Sequence, residues 1–251
     1  MKNQTPKKET PLKRKSSTPL YRQLDAIMRE KVYSGEWQPN EIIPSENELA
    51  RLYGLSRMTA RMVVTQLTQE GLLYRVHGKG TFVADEKITA QSLSYVGVRE
   101  QMEQMGYKTS TRILRIERAP VSEKIAHRFG LEPNEPFCSI ERLRLLDGVP
   151  FSLHFTYIPS KLCPGLEKKD LAGKQLCDIL HEDYDLTRRH VVETLESIAA
   201  TEYESDLLEV NRGFHLLMLK NFISGDKDHP FEFSKILFRG DKIKLKFIYE
   251  R

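Results

Sequence analysis

The stretch that most constrains the fold is PSENELARLYGLSRMTARMVVTQLTQEG, residues 44–71. Ser45 followed by Glu48 is the capping-box pattern with which helices begin, and Gly54 is the residue type that commonly ends them. Ser56 can cap a new helix almost at once, and the apolar spacing after it predicts a helix to the end of the stretch. Two helices separated by only two or three residues predict a helix-turn-helix unit.

A further helix is predicted before this unit, in the segment TPLYRQLDAIMREKVYSG. Thr18 is a suitable N-cap, Pro19 fits the first helical position, and Gly35 can end the helix. The apolar positions recur every three or four residues, and they are Leu20, Leu24, Ile27, Met28 and Val32. In the helix that follows, the positions expected to be buried are Leu49, Leu52 and Tyr53.

A small hairpin is predicted directly after the third helix. Residues 72–74 and 81–83 have the apolar character of two short strands, and the glycine-containing segment 77–80 is expected to be the turn between them. Three helices followed by a hairpin with a basic tip predict a winged helix-turn-helix domain over residues 18–84.

Two arginines stand at the beginning of the third helix. Arg57 and Arg61 are four positions apart, which places them about 40° apart around a helix and on one side of it. In helix-turn-helix proteins this part of the helix enters the DNA major groove, where arginine reads guanine with two hydrogen bonds. The plain alternative is solvated surface charge, but the preceding helices and the basic hairpin favour contact with DNA.

Charge is distributed unevenly along the chain. Residues 1–80 hold 14 Lys and Arg against 8 Asp and Glu, and the other residues hold 25 against 27, which together give the net charge of +4. A basic N-terminal third beside a near-neutral remainder predicts that this third meets a polyanion. A lysine-rich tail that keeps the protein soluble would give the same totals.

The second part of the chain has the pattern of an α+β domain. Helices are expected near 98–105, 122–129, 175–181 and 202–209, and strands near 109–118, 188–200 and 214–223. FCSIERLRLLDGVPFSLHFTYIP predicts two strands joined at Asp147-Gly148, because Asp-Gly is a strong hairpin signal. Residues 231–238 and 243–249 are expected to form a closing hairpin.

Other features of the sequence predict the domain boundaries and argue against a membrane or a secreted protein. Residues 1–17 are expected to be a disordered basic tail, and the polar stretch 85–92 is expected to link the first domain to a second one over 93–251. Three cysteines without CxxC spacing favour reduced thiols in a cytoplasmic protein. No apolar run has the length of a membrane span, and the N-terminus lacks the apolar core of a secretory signal.

Arg142 and Arg144 lie two apart in a predicted strand and therefore share a face. If this face borders a cavity, the pair is suited to hold a phosphate or a carboxylate. A two-residue turn in the hairpin would place His154 opposite Glu141 on the other face, whereas a three-residue turn would place His154 opposite Arg142. Only the second register would make His154 a ligand residue.

Two stretches carry a family resemblance. PSENELARLYGLSRMTARMVVTQLTQEGLLYRVHGKGTFV resembles the DNA-binding domain of GntR-type bacterial regulators, over about residues 19–84. IERLRLLDGVPFSLHFTYIP and FEFSKILFRGDKIKLKF resemble the UTRA effector domain of the HutC branch of that family. The resemblance implies an α+β protein of two domains, an N-terminal winged helix-turn-helix and a C-terminal chorismate-lyase-like antiparallel sheet with helices.

The resemblance also implies two sets of contact residues. DNA would be contacted by Ser45, Asn47, Ser56, Arg57, Thr59, Arg61, His77, Gly78 and Lys79. An effector would be held by Gly97, Arg142, Arg144, His154, Gln175, Glu232 and Phe238. Asn47 replaces an arginine that is common in the family, and several effector positions depart from those of sugar-phosphate-binding relatives. The expected effector is therefore an anion other than the commonest one, an amino-sugar phosphate.

The function that the resemblance implies is a metabolite-responsive transcriptional regulator, expected to be a repressor. It would bind a palindromic operator in double-stranded DNA as a homodimer, and an anionic small molecule (a sugar phosphate, another phosphorylated sugar derivative or an organic acid) would release it. The alternatives are a constitutive DNA-binding protein with a vestigial pocket and a lyase-like enzyme. No catalytic motif is present, and Glu193 and Glu196 would lie on opposite faces of a strand. No catalytic residue, metal site or cofactor is expected.

Overall fold

The chain divides into two compact units, Met1–Lys87 and Ile88–Arg251, in a computed structural model that describes residues 11–14, 16–85, 87–90, 98–225 and 229–246. The described residues of the first unit form three helices and a hairpin. They are α1 (Leu20–Tyr33), α2 (Glu46–Tyr53), α3 (Arg57–Gln69), β1 (Leu73–Val76) and β2 (Gly80–Val83). β1 and β2 pair antiparallel, so this unit is the predicted winged helix-turn-helix.

The capping signals of the sequence form as predicted in α2 and α3. The Ser45 hydroxyl accepts a hydrogen bond from the Glu48 backbone N–H, and the Glu48 carboxylate accepts one from the Ser45 N–H at 2.8 Å. Gly54 ends α2 in the left-handed conformation, with φ +62°. Ser56 then caps α3 by accepting from the Thr59 N–H at 3.1 Å. These caps fix the short turn between the two helices.

Two details of the first unit differ from the prediction. The N-cap of α1 is Pro19 rather than Thr18, and it makes no side-chain cap bond because proline has no side-chain acceptor. Leu52 is exposed rather than buried, since α2 is short and turns only Leu49 and Tyr53 towards the core. The core that joins the three helices to the hairpin is built from Leu24, Met28, Trp37, Ile43, Leu49, Tyr53, Ala60, Val63, Val64, Leu67, Leu73 and Val83.

The part of the predicted disordered tail that the structure describes is attached to the first unit. Leu12 packs against its core, and the Gln23 side chain exchanges two hydrogen bonds with the Lys13 backbone. Arg14 donates to the Gly54 carbonyl at 2.9 Å, at the turn between α2 and α3. The expectation of disorder is therefore wrong for this segment, while residues 1–10 and 15 lie outside the described residues.

The second unit is built on a six-stranded antiparallel sheet. Its strands are β4 (Thr109–Pro120), β5 (Pro136–Leu146), β6 (Val149–Pro159), β7 (His190–Ala199), β8 (His215–Ser224) and β9 (Pro230–Arg239), in the spatial order β4-β5-β6-β9-β8-β7. The helices are α4 (Val98–Gln104), α5 (Glu123–Arg128), α6 (Leu176–Tyr184) and α7 (Glu202–Leu208), with two 3₁₀ turns at Ser160–Leu162 and Leu166–Lys168. Each of these helices lies where the sequence predicts one.

The predictions for two segments near the ends of the second unit are wrong. The expected linker contains a strand, β3 (Ile88–Ala90), and β10 (Ile243–Leu245) pairs with it in parallel instead of closing a hairpin with β9. The physical reason is burial, because Ile88, Ala90 and Ile243 enter a core cluster with Phe151 and Phe238. Residues 247–249 of the expected last strand lie outside the described residues.

None of the helices in the described part of the chain combines the length and the apolar character that a membrane crossing requires.

Candidate functional site

The outer surface of α3 carries the two arginines that the sequence singles out. Arg57 and Arg61 are both exposed, and neither has an ion-pair partner among the described residues. Ser56 is exposed at the start of the helix, and Thr59 is held close to it by a hydroxyl–hydroxyl hydrogen bond of 2.8 Å. Two free guanidinium groups at the N-terminal end of a helix favour an anionic or guanine-bearing partner.

The hairpin of the first unit presents a second polar surface. His77, Gly78 and Lys79 form its tip, and all three are exposed. Gly78 has φ +72°, a conformation that other residues rarely adopt, and a side chain there would meet no atom of the described residues within 4 Å. The space around the tip is therefore open among the described residues. The backbone of the tip can lie close to a large partner.

One side chain that the sequence does not reveal ties the hairpin to the helices. Arg75 of β1 donates to the Glu46 carboxylate at 2.9 Å and to the Thr65 hydroxyl at 3.1 Å. Glu46 belongs to the first turn of α2, beside the exposed Ser45 and Asn47. This contact fixes the hairpin relative to the N-terminus of α2 and the middle of α3.

In the second unit, the hairpin of β5 and β6 begins with a two-residue turn. Asp147 and Gly148 have φ +48° and +82°, as a two-residue turn of the mirror-image type requires. A two-residue turn is expected to give the register that places His154 opposite Glu141 and on the other face from Arg142. The expected link between turn length and register does not hold here.

A β-bulge changes the register one step beyond the turn. Phe151 has no partner on β5, so Arg144 pairs with Ser152, and His154 pairs with Arg142. A bulge adds one residue to one strand and thereby reverses the face of every residue beyond it. His154 therefore shares the face of the two arginines, which a three-residue turn would also have achieved.

This face of the sheet borders a cavity that contains about 540 Å³ of empty space, part of it open to solvent. The part of it that the centre of a water-sized sphere can reach is about 60 Å³. The floor comes from strands β5, β6, β8 and β9, and the walls come from α4, α6 and the segment before β7. The lining comprises Val98, Arg99, Arg142, Arg144, His154, Thr156, Gln175, Leu176, Cys177, Arg188, Asn221, Ile223, Glu232, Ser234 and Ile236.

Arg142 and Arg144 are buried in this cavity, and neither forms an ion pair with a carboxylate of the described residues. They are only 6% and 7% exposed, and Arg142 donates to the Thr156 hydroxyl at 3.1 Å. The Nε atoms of both arginines and Nη1 of Arg144 have no hydrogen-bond partner within the described parts of the chain. Unpaired buried charge is costly, so an arrangement of this kind favours a bound anion.

Burial also shifts the protonation equilibria of these groups. Loss of water lowers the pKa of Arg142, and it lowers the pKa of Arg144 to about 9, with Arg142 as the next cause. The pKa of His154 falls well below its ordinary value, first because of burial and then because of the neighbouring Arg144 and Arg142. His154 is therefore neutral near pH 7, and its Nε2 lies 2.8 Å from the Ser152 hydroxyl.

The part of the cavity lined by β8 and β9 adds two acceptor oxygens. Glu232 and Asn221 are each 3% exposed, and Oε2 of Glu232 and Oδ1 of Asn221 lack a hydrogen-bond partner among the described residues. The nearest cation to Glu232 is Arg188, at 3.7 Å. A ligand that carries hydroxyl or ammonium donors would satisfy both oxygens.

The other predicted effector residues differ in their position relative to the cavity. Gln175 lines the cavity at the start of α6. Phe238 does not line it; this side chain is fully buried and packs edge-on against His154 and Phe151. Gly97 lies outside the described residues. Arg99, Cys177, Arg188 and Asn221 were missed, because only the sheet register and the helix placement bring them to this face.

Two further observations concern the carboxylates of β7 and possible metal ligands. Glu193 and Glu196 lie on opposite faces of β7, as their spacing predicts, and Glu196 is paired with Lys220 at 2.8 Å. Among the described residues, no group of three His, Cys, Asp or Glu side chains could hold a metal ion.

Comparison with known proteins agrees with this architecture. Residues 20–83 match the model of the bacterial regulatory proteins of the gntR family, and residues 104–244 match the UTRA domain. The chain is 31% identical to YurK of Bacillus subtilis, an uncharacterised helix-turn-helix transcriptional regulator, over 91% of this chain and 94% of YurK. It is 28% identical to the transcriptional repressor NagR of Bacillus subtilis, over 96% of this chain and 98% of NagR.

A solved structure has the same fold. The crystal structure of PhnF from Mycobacterium smegmatis superposes with a TM-score of 0.63 at 21% identity, covering 90% of this chain and 99% of PhnF.

Proposed function

We propose that this chain, which belongs to the GntR family of bacterial regulatory proteins and carries the UTRA domain of its HutC branch, is a repressor released from a palindromic operator by an anionic metabolite. The family consists of DNA-binding transcriptional regulators rather than enzymes, so the chain is a transcriptional regulator. The effector, the operator and repression as the direction of control are the proposed parts.

The observation that carries the effector proposal is the pair of buried arginines. Arg99 is paired with Glu103 at 2.8 Å, and Arg188 lies beside Glu232. Arg142 and Arg144 have no ion pair among the described residues, so the cavity has two positive charges in excess. A dianion such as a phosphate monoester or a dicarboxylate would balance them.

The acceptors in the cavity narrow the class of effector further. The unpaired oxygens of Glu232 and Asn221 need hydrogen-bond donors. An inorganic anion bound to the arginines does not supply them. A phosphorylated polyol or sugar, or a hydroxylated organic acid, carries both kinds of group. His154 is neutral and can donate or accept a single hydrogen bond, so it adds selectivity rather than charge.

Symmetry and linked binding equilibria explain how the effector would change operator binding. A two-fold operator is matched by a two-fold protein, so we propose a homodimer that presents two copies of α3 to successive half-sites. The effector can release the operator only if it binds more tightly to an arrangement of the dimer that does not fit the operator.

The effector site can be tested by thermal unfolding of the full chain with added anions. The panel contains inorganic phosphate, sulfate, sugar phosphates and hydroxylated dicarboxylates. We expect the melting temperature to rise with at least one donor-bearing dianion and to rise much less with phosphate or sulfate.

The matched variants are Arg144→Met in the cavity and Arg212→Gln at an exposed site, where Arg212 faces Glu202 at 3.5 Å. Arg144→Met should lose the stabilisation, and Arg212→Gln should keep it. Equal stabilisation of both variants would place the ligand elsewhere. A panel without any effect, together with intact operator binding, would favour a constitutive DNA-binding protein with a vestigial pocket.

A further inference from the structure

The face of α3 that points directly away from the core of the first unit is apolar at its N-terminal end. Its buried residues are Ala60, Val63, Val64 and Leu67. At about 100° per residue, Met58 projects roughly 170° from the mean direction of these four, and Met62 roughly 150°. Both methionines therefore lie near the middle of the outward face.

The side chains of the two methionines are exposed to solvent. Met58 is 70% exposed and Met62 is 47% exposed. Single exposed apolar residues are ordinary on a protein surface. Here two long apolar side chains stand one turn apart on the same face of the same helix, and neither belongs to the core cluster of the unit.

The arginines occupy a flank of this face rather than its centre. By the same spacing, Arg57 lies roughly 70° from the mean buried direction, and Arg61 roughly 110°. A helix that places its outward face against the groove floor would therefore turn Met58 and Met62 towards the base edges. The arginines would reach bases or phosphates beside them.

Exposed positive charge on α3 and at the hairpin tip favours DNA as the occupant of this face. Arg57, Arg61 and Lys79 are all exposed and carry positive charge, as a polyanion requires. The only apolar group that the base pairs present in the major groove is the 5-methyl group of thymine. Methionine is flexible and polarisable, and it can follow the position of such a methyl group.

We propose that Met58 and Met62 are specificity-determining residues that contact thymine methyl groups in the operator half-site, next to the bases read by Arg57 and Arg61. The proposal rests on the proposed function, because it requires a specific operator. It predicts thymines at positions where arginine and the other polar side chains of α3 would show no preference.

The test removes the methyl group and nothing else. An operator is first selected from a random duplex library with the full-length protein. Each thymine of the half-site is then replaced by deoxyuridine, and dissociation constants are measured at one fixed salt concentration. We expect at least one replacement to weaken binding by the wild type about fourfold, as the loss of one buried methyl group implies.

The protein variants complete a double-mutant cycle. Met58→Ala and Met62→Ala should each bind the thymine operator more weakly and lose the response to deoxyuridine at one position. Met105→Ala, which removes a methionine that is 46% exposed in the second unit, should behave as the wild type. Thermal unfolding checks that the variants remain folded.

The possible outcomes distinguish failure of the methionine proposal from failure of the operator proposal on which it rests. If the library yields no preferred site, and binding is weak and steeply salt-dependent, the operator proposal fails and the methionine proposal fails with it. If a site is found but deoxyuridine is tolerated everywhere, only the methionine proposal is overturned. It is also overturned if Met58→Ala changes the sedimentation of the protein while the response to deoxyuridine is kept, because a second copy of the chain would then cover this face.

Discussion

At the residue scale, Arg57 and Arg61 differ from Lys79 in the kind of contact that each can make. The arginines lie on the first turns of α3, whereas Lys79 lies at the tip of the hairpin. We expect Arg57→Ala or Arg61→Ala to cost about 1–3 kcal/mol of specific operator binding. Lys79→Ala should weaken binding to all duplexes about equally and should lower the salt slope by about one. Salt-titrated binding curves measure both effects. Unchanged operator affinity of Arg57→Ala at fixed salt would contradict the assignment of α3.

The buried arginines of the second unit lead to a prediction about stability. Arg142 loses most of its hydration and, among the described residues, gains a hydrogen bond to Thr156 in return. Replacing a buried charge by an apolar side chain of similar length removes that desolvation cost. We therefore expect Arg142→Met to be as stable as the wild type without ligand, or more stable by about 1 kcal/mol, while its response to the effector is lost. Denaturant unfolding measures this, and a large loss of stability without ligand would show that Arg142 is structural.

His154 leads to a prediction about pH. Its pKa is lowered in the folded state, so below pH about 6.5 the unfolded chain binds a proton that the folded chain does not. Stability should fall as the pH decreases from about 7 to 5, with a contribution of up to about 1.4 kcal/mol per pH unit from this residue. His154→Gln should remove that contribution.

The control for this measurement is His190→Gln, at an exposed position of β7. Denaturant unfolding across the pH range compares the two variants with the wild type. If His154→Gln shows the same pH dependence as the wild type, His154 binds its proton equally well in the folded and the unfolded chain.

At the element scale, an ion pair contributes to the placement of the hairpin. Arg75 on β1 bonds Glu46 at the start of α2. Removing the Glu46 charge should strengthen DNA binding if only electrostatics mattered, because a negative charge near the phosphates is lost. We expect the opposite for the specific site: Glu46→Gln should lower operator affinity several-fold and leave non-specific affinity unchanged or higher, since the wing is no longer held in place.

The control for the wing prediction is Glu70→Gln. Glu70 also pairs with an arginine, Arg29, at 2.6 Å, but it caps the opposite end of α3. This variant should raise specific and non-specific affinity slightly and together. Binding to the operator and to a scrambled duplex, compared at fixed salt, distinguishes the two variants. A parallel rise for Glu46→Gln would mean that the Arg75–Glu46 ion pair does not position the hairpin.

The elements also show which parts of the fold a sequence can predict. The capping box at Ser45, the helix end at Gly54 and the turn at Asp147-Gly148 are local signals, and all are found. The bulge at Phe151 has no such signal, because every residue over 150–154 is buried and no alternation sets the register. The two arginines could therefore be predicted as neighbours, but the place of His154 beside them could not.

Long-range pairing limits prediction in the same way. The linker segment becomes a strand only because β10, near the other end of the chain, lies beside it. Asn221 and Arg188 join the cavity because the strand order and the helix placement bring distant parts of the chain to one face. Neither arrangement leaves a local pattern in the sequence.

At the scale of the whole molecule, the two proposed sites must be linked by thermodynamics. If the effector lowers the affinity for the operator by some factor, the operator must lower the affinity for the effector by the same factor. We expect this factor to be about 5- to 150-fold. The measurements are operator binding at saturating effector, and effector binding to the free protein and to the operator complex.

Two variants decide whether the linkage passes through the cavity. Arg144→Met should bind the operator as the wild type does and should lose the effect of the effector, while the exposed Arg212→Gln should keep the full coupling. An effector that binds the free protein and the operator complex with equal affinity would contradict a sensor, however tightly it binds, because a ligand without differential affinity shifts no equilibrium. Loss of operator binding in folded Arg144→Met would instead show that the arginine acts on the DNA-bound arrangement itself.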